Sequence, residues 1–276
     1  MNKKAYFIPL FMFIIFETIA ITLWLTLNSI FFLFNFTYIG SCVSIGFFLY
    51  IKKFKYARTM VQFTVGLYLL IYLGIISQEN MMIEGFWYYL FLGVFEAAVI
   101  HYAVAKIFGP VLFGRGWCGY ACWTAMVLDL LPYKAPLEPR KKIGFIRYIT
   151  FIASFSFVFV LFLLKVTNID QIMFWSFVIG NALYYTVGIF LALALKDNRA
   201  FCKYICPITI FLKPASYYSV LRVKIDADKC ISCGKCKKVC PMDVDMTDNS
   251  RHRKNATECI LCFNCVEECP MKALHT

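Results

Sequence analysis

Eight cysteines near the end of the chain fall into two runs with identical spacing. The first run reads Cys230-x-x-Cys233-x-x-Cys236-x-x-x-Cys240-Pro241, and the second, 29 residues further on, reads Cys259-x-x-Cys262-x-x-Cys265-x-x-x-Cys269-Pro270. Three thiolates in so short a loop can surround one corner of a metal cluster, whereas zinc sites usually use two C-x-x-C pairs. Disulfides are the other alternative. The spacing predicts two iron–sulfur clusters in this segment.

The double run resembles the motif of bacterial two-cluster ferredoxins, in which the fourth cysteine of each run binds the cluster of the other run. The resemblance implies two [4Fe–4S] clusters in a small α+β domain. The expected ligands of cluster 1 are Cys230, Cys233, Cys236 and Cys269, and those of cluster 2 are Cys259, Cys262, Cys265 and Cys240. Apolar neighbours are expected to shield both clusters from water: Ile231, Val239, Ile260, Leu261, Phe263 and Val266.

The chain as a whole is too apolar for a soluble protein. Of its 276 residues, 61% are hydrophobic and only 16% are charged, whereas soluble domains are about half apolar and a quarter charged. Six apolar stretches are long enough to cross a bilayer as helices: 6–27, 30–51, 59–77, 86–107, 144–166 and 172–195. The sequence predicts a mainly α-helical membrane protein, with a transmembrane domain at 1–215 and the two-cluster ferredoxin-like domain at 216–276.

The basic residues indicate an orientation in the membrane. The formal net charge is +12, but the Lys and Arg residues flank the apolar stretches, which argues against a nucleic-acid-binding surface. The loops 78–85 and 167–171 contain no Lys or Arg, so the other ends of the spans are expected in the cytoplasm. Thirteen cysteines, most of them in metal-binding spacing, also favour a reducing compartment. We expect a multi-pass protein of a bacterial or archaeal cell membrane, with both termini and the clusters cytoplasmic.

Four further cysteines form two similar pairs. They lie in Arg115-Gly-Trp-Cys118-Gly-Tyr-Ala-Cys122 and, 84 residues later, in Arg199-Ala-Phe-Cys202-Lys-Tyr-Ile-Cys206. Each pair follows an apolar hairpin, which indicates an internal repeat. On a helix, two cysteines four residues apart would share one face. The pairs either hold an additional iron–sulfur or copper centre, act as redox dithiols, or are buried thiols without chemistry. The arginine before each pair either stabilises thiolates or anchors the chain at the membrane interface.

Two ionisable residues lie inside the predicted fourth span. Glu96 and His101 are candidates for a proton or quinone site, because ionisable groups within a membrane are usually functional. The alternative is that they form buried hydrogen bonds between helices. A bis-histidine haem needs a second histidine in the membrane, and the chain offers only one there, so no haem is expected.

These motifs together resemble the polyferredoxin-like membrane proteins of the NapH, NosR and CcoG type. That family combines several membrane spans, two C-x-x-x-C-P motifs and a two-cluster ferredoxin module, and the chain is most similar to its small NapH-like members. One difference is that Trp123, not proline, follows Cys122, whereas Pro207 follows Cys206. The resemblance implies an electron carrier or oxidoreductase subunit that passes electrons between a cytoplasmic donor or acceptor and a membrane partner or the quinone pool.

Other functions remain open at this point. A copper or metal reductase, or a metalloenzyme assembly factor, would use the C-x-x-x-C pairs, and an iron–sulfur sensor or structural subunit would use the clusters without turnover. Three lysines within the first cysteine run, Lys235, Lys237 and Lys238, either dock a soluble acidic ferredoxin or flavodoxin or face anionic lipid headgroups.

Overall fold

A computed structural model of the protein describes residues 7–95 and 97–276. These residues form two compact units. One unit comprises the described residues up to Tyr68 together with Tyr120–Trp123, and the other comprises Leu69–Gly119 and Thr124–Thr276.

The first unit contains three helices, which are α1 (Phe7–Leu27), α2 (Ile30–Ile51) and α3 (Ala57–Leu67). Glycines allow α2 to approach its neighbours closely. A Cβ atom at Gly40 would lie 2.5 Å from Phe16, and one at Gly46 would lie 2.0 Å from Val61. The backbone of α2 therefore lies near both α1 and α3, as small residues permit in membrane helices.

The second unit contains the remaining elements, except for their terminal residues Tyr68, Tyr120 and Trp123, which belong to the first unit. The helix α3 continues as a π-helix over Tyr68–Ile76. The following helices are α4 (Ile83–Leu92), α5 (Ala97–Tyr102) with a π-helical continuation (Ala103–Phe108), α6 (Gly109–Phe113), α7 (Gly116–Tyr120), α8 (Trp123–Leu128), α9 (Ile146–Leu163), α10 (Ile169–Ala194), α11 (Ala200–Tyr204) and α12 (Thr209–Tyr217).

Within residues 7–95 and 97–276, five helices are long and apolar enough to cross a membrane. They are Phe7–Leu27, Ile30–Ile51, Ala57–Ile76, Ile146–Leu163 and Ile169–Ala194. A continuous helix suits these apolar runs because it satisfies every backbone hydrogen bond without water. The prediction of a single fourth span over 86–107 is wrong. The helix α4 ends at Gly93, which adopts a left-handed conformation (φ 70°), and a shorter apolar helical segment follows at Ala98–Phe113.

The end of the chain folds as a small α+β segment. The strands β1 (Lys224–Ile225) and β2 (Leu274–His275) pair in antiparallel fashion, with Ile225 opposite Leu274. Between them lie the short helices α13 (Lys235–Lys238) and α14 (Asn264–Glu267), and a 3₁₀ turn at Ala256–Glu258. The predicted fold class, a mainly α-helical membrane protein with a small α+β segment, is confirmed.

Candidate functional site

The structure gathers the eight cysteines of the double run around two separate cavities. The first cavity is lined by Cys230, Cys233, Cys236 and Cys269. The second is lined by Cys240, Cys259, Cys262 and Cys265. These two sets are the same as the two expected ligand sets, including the exchange of the fourth cysteine between the runs.

The two runs have matching backbone conformations. Three positions in each run adopt a positive φ angle, and each has its counterpart at the same place in the other run: Ser232 and Leu261, Gly234 and Phe263, Asp243 and Lys272. Two sulfur atoms also accept equivalent backbone hydrogen bonds, from Val244 N to Cys240 Sγ and from Ala273 N to Cys269 Sγ, each at 3.3 Å. The two runs therefore repeat the same local backbone conformation.

Each cavity suits a [4Fe–4S] cluster. Four thiols face one enclosed space, and backbone N–H groups donate to sulfur, as they do around protein-bound clusters. Among residues 7–95 and 97–276, no three His, Cys, Asp or Glu side chains are placed to hold a single metal ion. Burial, followed by the charge of the neighbouring Cys262, raises the pKa of Cys240 to about 11 and that of Cys259 to about 12. Binding of iron at these thiols would therefore release protons.

The two cavities differ in their exposure. Cys233 lies at the surface, and the neighbouring Ile231 is 61% exposed. Ile231 lines the first cavity on one side and faces solvent on the other, so its shielding of a cluster stays a prediction. In contrast, Ile260 and Leu261, beside the second cavity, are buried. The first cavity thus borders solvent, and the second lies inside the unit.

The first cysteine of each C-x-x-x-C pair lies in the same hydrophobic core as residues that line the second cavity. Cys118 and Cys202 belong to one hydrophobic core together with Cys240, Ile260 and Leu261. The backbone is equally close, because Arg115 N donates to the carbonyl of Cys259 at 3.2 Å and a Cβ atom at Gly119 would lie 2.4 Å from the carbonyl oxygen of Ile260. The two cysteine systems are therefore adjacent parts of one packed core.

The second cysteine of each pair lies outside a helix. The helix α7 ends at Tyr120, before Cys122, and α11 ends at Tyr204, before Cys206. The two cysteines of a pair therefore do not lie in one helix, and the expectation that they share one helical face is wrong. The second cysteine of each pair instead occupies the break between two short helices, and this holds both where Trp123 follows and where Pro207 follows.

Buried cations surround Cys118. Arg115 and Arg199 are each 1% exposed and Lys106 is 3% exposed, so the alternative of arginines anchored at a membrane interface does not apply. Burial by itself raises the pKa of the Cys118 thiol. The positive charges of Arg115, Lys106 and Arg199 and a hydrogen bond from Arg115 to the thiol together outweigh burial. The pKa of Cys118 therefore lies below its usual value. Cys118 thus resembles reactive or metal-binding cysteines.

One buried carboxylate joins the cysteine-rich segment to the helices. Glu258, adjacent to Cys259, is 1% exposed and pairs with Arg115. It also accepts from Arg140 at 3.1 Å and Arg147 at 3.3 Å, and it lies 3.4 Å from the ammonium of Lys213. We call Glu258 and these four cations the Glu258 cluster. Sequence reasoning missed Glu258, although an acidic residue next to a ligand in a basic chain was a signal for it.

The repeated arginine has a different partner in the second pair. Arg199 forms a two-point ion pair with Asp129, at 2.7 and 2.5 Å, and donates to the carbonyl of Cys118 at 3.0 Å. The neighbouring Lys203 is fully buried and pairs with Asp197 at 2.8 Å and with Asp243 at 2.6 Å. Asp243 lies three residues after Cys240, so a second ion pair joins the helices to the cysteine-rich segment.

The two sequence candidates for a proton or quinone site, Glu96 and His101, differ in what the structure shows of them. Glu96 lies outside the described residues. His101 is buried, with its ring centroid 5.2 Å from that of Trp117, and its Nε2 has no hydrogen-bond partner in the described part of the chain. His101 therefore packs against Trp117, the residue that directly precedes Cys118.

Two family models match the chain in the segments that carry these cysteines. A model described as a 4Fe-4S dicluster domain matches residues 222–270. A model described as a 4Fe-4S binding domain matches residues 98–145 and 173–226. The first match contains the double run, and the second contains both C-x-x-x-C pairs.

Several curated proteins are similar to the chain. The ferredoxin-type protein NapH of Haemophilus influenzae is 25% identical over 153 residues, which are 50% of this chain and 52% of that protein. The methylamine utilization ferredoxin-type protein MauN of Methylobacillus flagellatus is 24% identical over 158 residues, 53% of this chain and 55% of MauN. An uncharacterized protein of Methanocaldococcus jannaschii is 24% identical over 177 residues, 63% of this chain and 70% of that protein.

The chain spans about half the length of its NapH and MauN relatives. No solved structure gives a significant match. The chain is therefore similar to NapH-like ferredoxin-type proteins, and the two 4Fe-4S family models together with the apolar helices of membrane-spanning length support a membrane protein with an iron–sulfur electron-transfer role.

Proposed function

We propose that the chain passes single electrons between a soluble cytoplasmic partner and a partner in the membrane, either a protein or the quinone pool. Two [4Fe–4S] clusters, held by the two cysteine sets that line the two cavities, would supply the one-electron chemistry. The cysteine-rich segment from residue 216 onwards would form the cytoplasmic domain, and residues 1–215 would form the membrane domain. The positive charge at the cytoplasmic ends of the spans supports this orientation.

The observation that carries this proposal is the common core of the two cysteine systems. Cys118 and Cys202 pack in one hydrophobic core with Cys240 and Cys265, two of the expected ligands of cluster 2. A solvated gap between a soluble module and the helices would separate the two systems, and the buried contacts leave no such gap at these residues. We infer that Cys118 and Cys202 take part in the redox chemistry or hold a further metal centre.

The solvent side of the proposed path is the first cavity. Its rim exposes Ile231 (61%) and Met271 (46%) beside the exposed thiol of Cys233. Lys235 and Lys238 add positive charge next to this apolar rim, whereas Lys237 is already paired with Asp245 at 2.8 Å. An acidic ferredoxin or flavodoxin would complement such a surface, and charge complementarity mainly accelerates docking.

Iron counting and spectroscopy test the cluster part of the proposal. Protein purified without oxygen is expected to contain about eight iron atoms per chain, since each [4Fe–4S] cluster contains four. Cys233→Ser is expected to lose or alter one cluster signal in electron paramagnetic resonance. Cys42→Ser, which changes a lone cysteine in α2, serves as the control and is expected to keep both signals. Iron-free wild-type protein would contradict the proposal.

The role of the C-x-x-x-C cysteines needs a separate variant. In Cys118→Ser combined with Cys202→Ser, loss of a third iron signal would support an additional iron–sulfur centre. Loss of stoichiometric copper would instead support the metal reductase or assembly function. If the iron content, the copper content and the rate of cluster reduction by a soluble donor all remain at the wild-type values, these two thiols have no redox role.

A further inference from the structure

Three arginines line a small cavity next to the second cysteine cavity. Arg222, Arg251 and Arg253 share its wall with Ser216 and with Cys259, which also lines the second cavity. We call this space the arginine cavity. It offers about 20 Å³ to the centres of water-sized groups, whereas a single water molecule needs about 10–15 Å³ on the same measure. The arginine cavity therefore admits one compact group of a few oxygen atoms, but not a ring system.

No carboxylate neutralises the positive charge of the arginine cavity. Arg251 and Arg253 donate to backbone carbonyls at 3.0–3.2 Å, and a carbonyl oxygen accepts a hydrogen bond without carrying a full charge. Within residues 7–95 and 97–276, none of the three arginines forms an ion pair, and no Asp or Glu lines the cavity. Burial, and then the charges of Arg251 and Arg253, lower the pKa of Arg222, although the exposed Asp248 acts in the opposite direction. An anion placed among the three guanidinium groups would relieve their mutual repulsion.

Two hydrogen-bond donors of the wall have no acceptor. Ser216 is 5% exposed and Arg253 is 7% exposed, and Ser216 Oγ and Arg253 Nε have no hydrogen-bond partner in the part of the chain that the structure describes. Leaving a buried polar group unpaired costs free energy. Both atoms carry a hydrogen that they can donate, so a ligand that satisfies them must offer acceptor oxygens. Together with the excess of positive charge, this favours an oxyanion such as a phosphate group.

Exposed apolar side chains lie directly beside the arginine cavity. Two backbone hydrogen bonds, of 2.7 and 2.9 Å, join residues 220–221 to residues 111–112 at the end of the apolar segment Ala98–Phe113. The large apolar side chains near this contact are exposed: Phe108, Val111, Leu112, Tyr218, Val220 and Leu221. We call them the apolar patch. A free anion from solution would leave the apolar patch in water, whereas a lipid would cover it with its acyl chains while its phosphate lies in the arginine cavity.

We propose that the arginine cavity binds the phosphate group of an anionic phospholipid, with the apolar patch in contact with its acyl chains. Phosphatidylglycerol suits the site because its headgroup carries no cation. The choline cation of phosphatidylcholine would instead lie close to three arginines. The inference goes beyond the proposed function, since it requires a membrane but no electron transfer. A lipid bound in this way would tie the cysteine-rich segment to the membrane surface beside Cys259.

Photolabelling with two matched lipids tests the site. The full-length, cluster-containing protein is reconstituted in bilayers that contain either phosphatidylglycerol or phosphatidylcholine with the same diazirine on an acyl chain, irradiated, digested and analysed by mass spectrometry. We expect the phosphatidylglycerol probe to label residues 108–113 and 217–222 more strongly than the phosphatidylcholine probe. Unlabelled phosphatidylglycerol should compete, and inorganic phosphate should not. Equal labelling by the two probes, or displacement of the phosphatidylglycerol probe by millimolar inorganic phosphate, would refute the proposal.

Three variants make the test specific. Arg222→Gln removes one charge from the arginine cavity, and labelling by phosphatidylglycerol is expected to fall about tenfold, which corresponds to about 1.4 kcal/mol. Lys224→Gln is the matched control, because it removes one positive charge from an exposed side chain outside the lining, and its labelling should stay near that of wild type. Ser216→Ala loses no hydrogen bond within the described protein, so its unfolding midpoint should not fall, while its labelling should fall about threefold. Unchanged labelling of Arg222→Gln would contradict the assignment.

The iron content of the same samples separates a lipid site from arginines that act on iron at Cys259. Arg222→Gln is expected to keep the iron content of wild type. If it loses iron but keeps its labelling, the arginines serve the second cysteine cavity and the proposal is refuted. If it loses both, Ser216→Ala decides, because this variant keeps every charge. Reduced labelling of Ser216→Ala at full iron content would support the lipid site, and unchanged labelling would refute it.

Discussion

Replacing Glu258 by glutamine should weaken the attachment of the cysteine-rich segment to the helices. Four cations share this single carboxylate, so the Glu258 cluster already has three more positive than negative charges. Arg140, Arg147 and Lys213 lie 3.1–3.4 Å from the carboxylate, and Arg115 also pairs with it. One such pair attracts by about 5 kcal/mol at 3.3 Å and an effective dielectric constant of about 20, and desolvation offsets much of this. Removing one partner of a buried ion pair costs about 3–5 kcal/mol in measured cases.

The expected loss can be measured by thermal unfolding. For a unit of about 200 residues, each kcal/mol lowers the midpoint by roughly 2–4 °C, so Glu258→Gln should unfold on the order of 6–20 °C below wild type. The matched control is Glu267→Gln, because Glu267 is an exposed acid on α14 and forms no ion pair within the described residues. Its effect should stay within about 0.5 kcal/mol.

A double-mutant cycle identifies the cause of the loss. Arg147→Met removes one cation of the Glu258 cluster, and the combination with Glu258→Gln should cost less than the sum of the two single variants, because the partners are in contact. Additive effects would mean that Glu258 and Arg147 are not coupled. A midpoint for Glu258→Gln within 2 °C of wild type would refute the electrostatic reasoning altogether.

Three further predictions follow from backbone geometry and charge. Gly119→Ala should detach the cysteine-rich segment and raise its sensitivity to protease, because its Cβ atom would lie 2.4 Å from the carbonyl oxygen of Ile260; Gly116→Ala, whose Cβ atom would meet only side chains at 3.2 Å or more, should be tolerated. Gly234→Ala should lower stability by about 1–2 kcal/mol through its left-handed backbone alone, since no atom lies within 4 Å of the added carbon; an unchanged unfolding midpoint would contradict this. Burial, and then the charges of neighbouring arginines, lower the pKa of Lys213 from 10.5 to about 8. The unfolded chain therefore keeps this proton to a higher pH than the folded protein, and wild type should gain stability as the pH rises from about 8 towards 10.5. Lys213→Met should lack this gain when unfolding midpoints at pH 7.5 and 9.5 are compared.

The long helices could be predicted from hydropathy, and the exception has a local cause. Five of the six predicted spans appear as helices of membrane-spanning length, because an apolar run of about 20 residues has few alternatives in lipid. The predicted fourth span is interrupted at Gly93, whose φ angle of 70° lies in the left-handed region of backbone conformation. A hydropathy average over a window of residues does not detect a single backbone angle, and glycine adopts that angle at little cost.

The spacing predicts which three cysteines of each run lie together, because short loops leave little freedom, and the resemblance to two-cluster ferredoxins supplied the exchange of the fourth cysteine. The structure brings together the four thiols of each set, including Cys269 with the first run and Cys240 with the second. The Glu258 cluster could not be predicted in this way. Its members come from segments that are more than 100 residues apart, from Arg115 to Glu258, and no local pattern specifies which arginine meets which acid.

The internal repeat in the sequence does not extend to the environment of its arginines. Arg115 and Arg199 occupy the same place in their motifs, both are buried and both act on Cys118. Arg115 nevertheless pairs with Glu258 in the cysteine-rich segment, whereas Arg199 pairs with Asp129 among the helices. One arginine therefore joins Cys118 to the segment that carries the second cavity, and the other joins it to the helical framework. A charge added in the second cavity would act on Cys118 directly, because both belong to one core, and also through the Arg115–Glu258 pair. A change in the charge state of that cavity should therefore alter the electrostatic environment of Cys118.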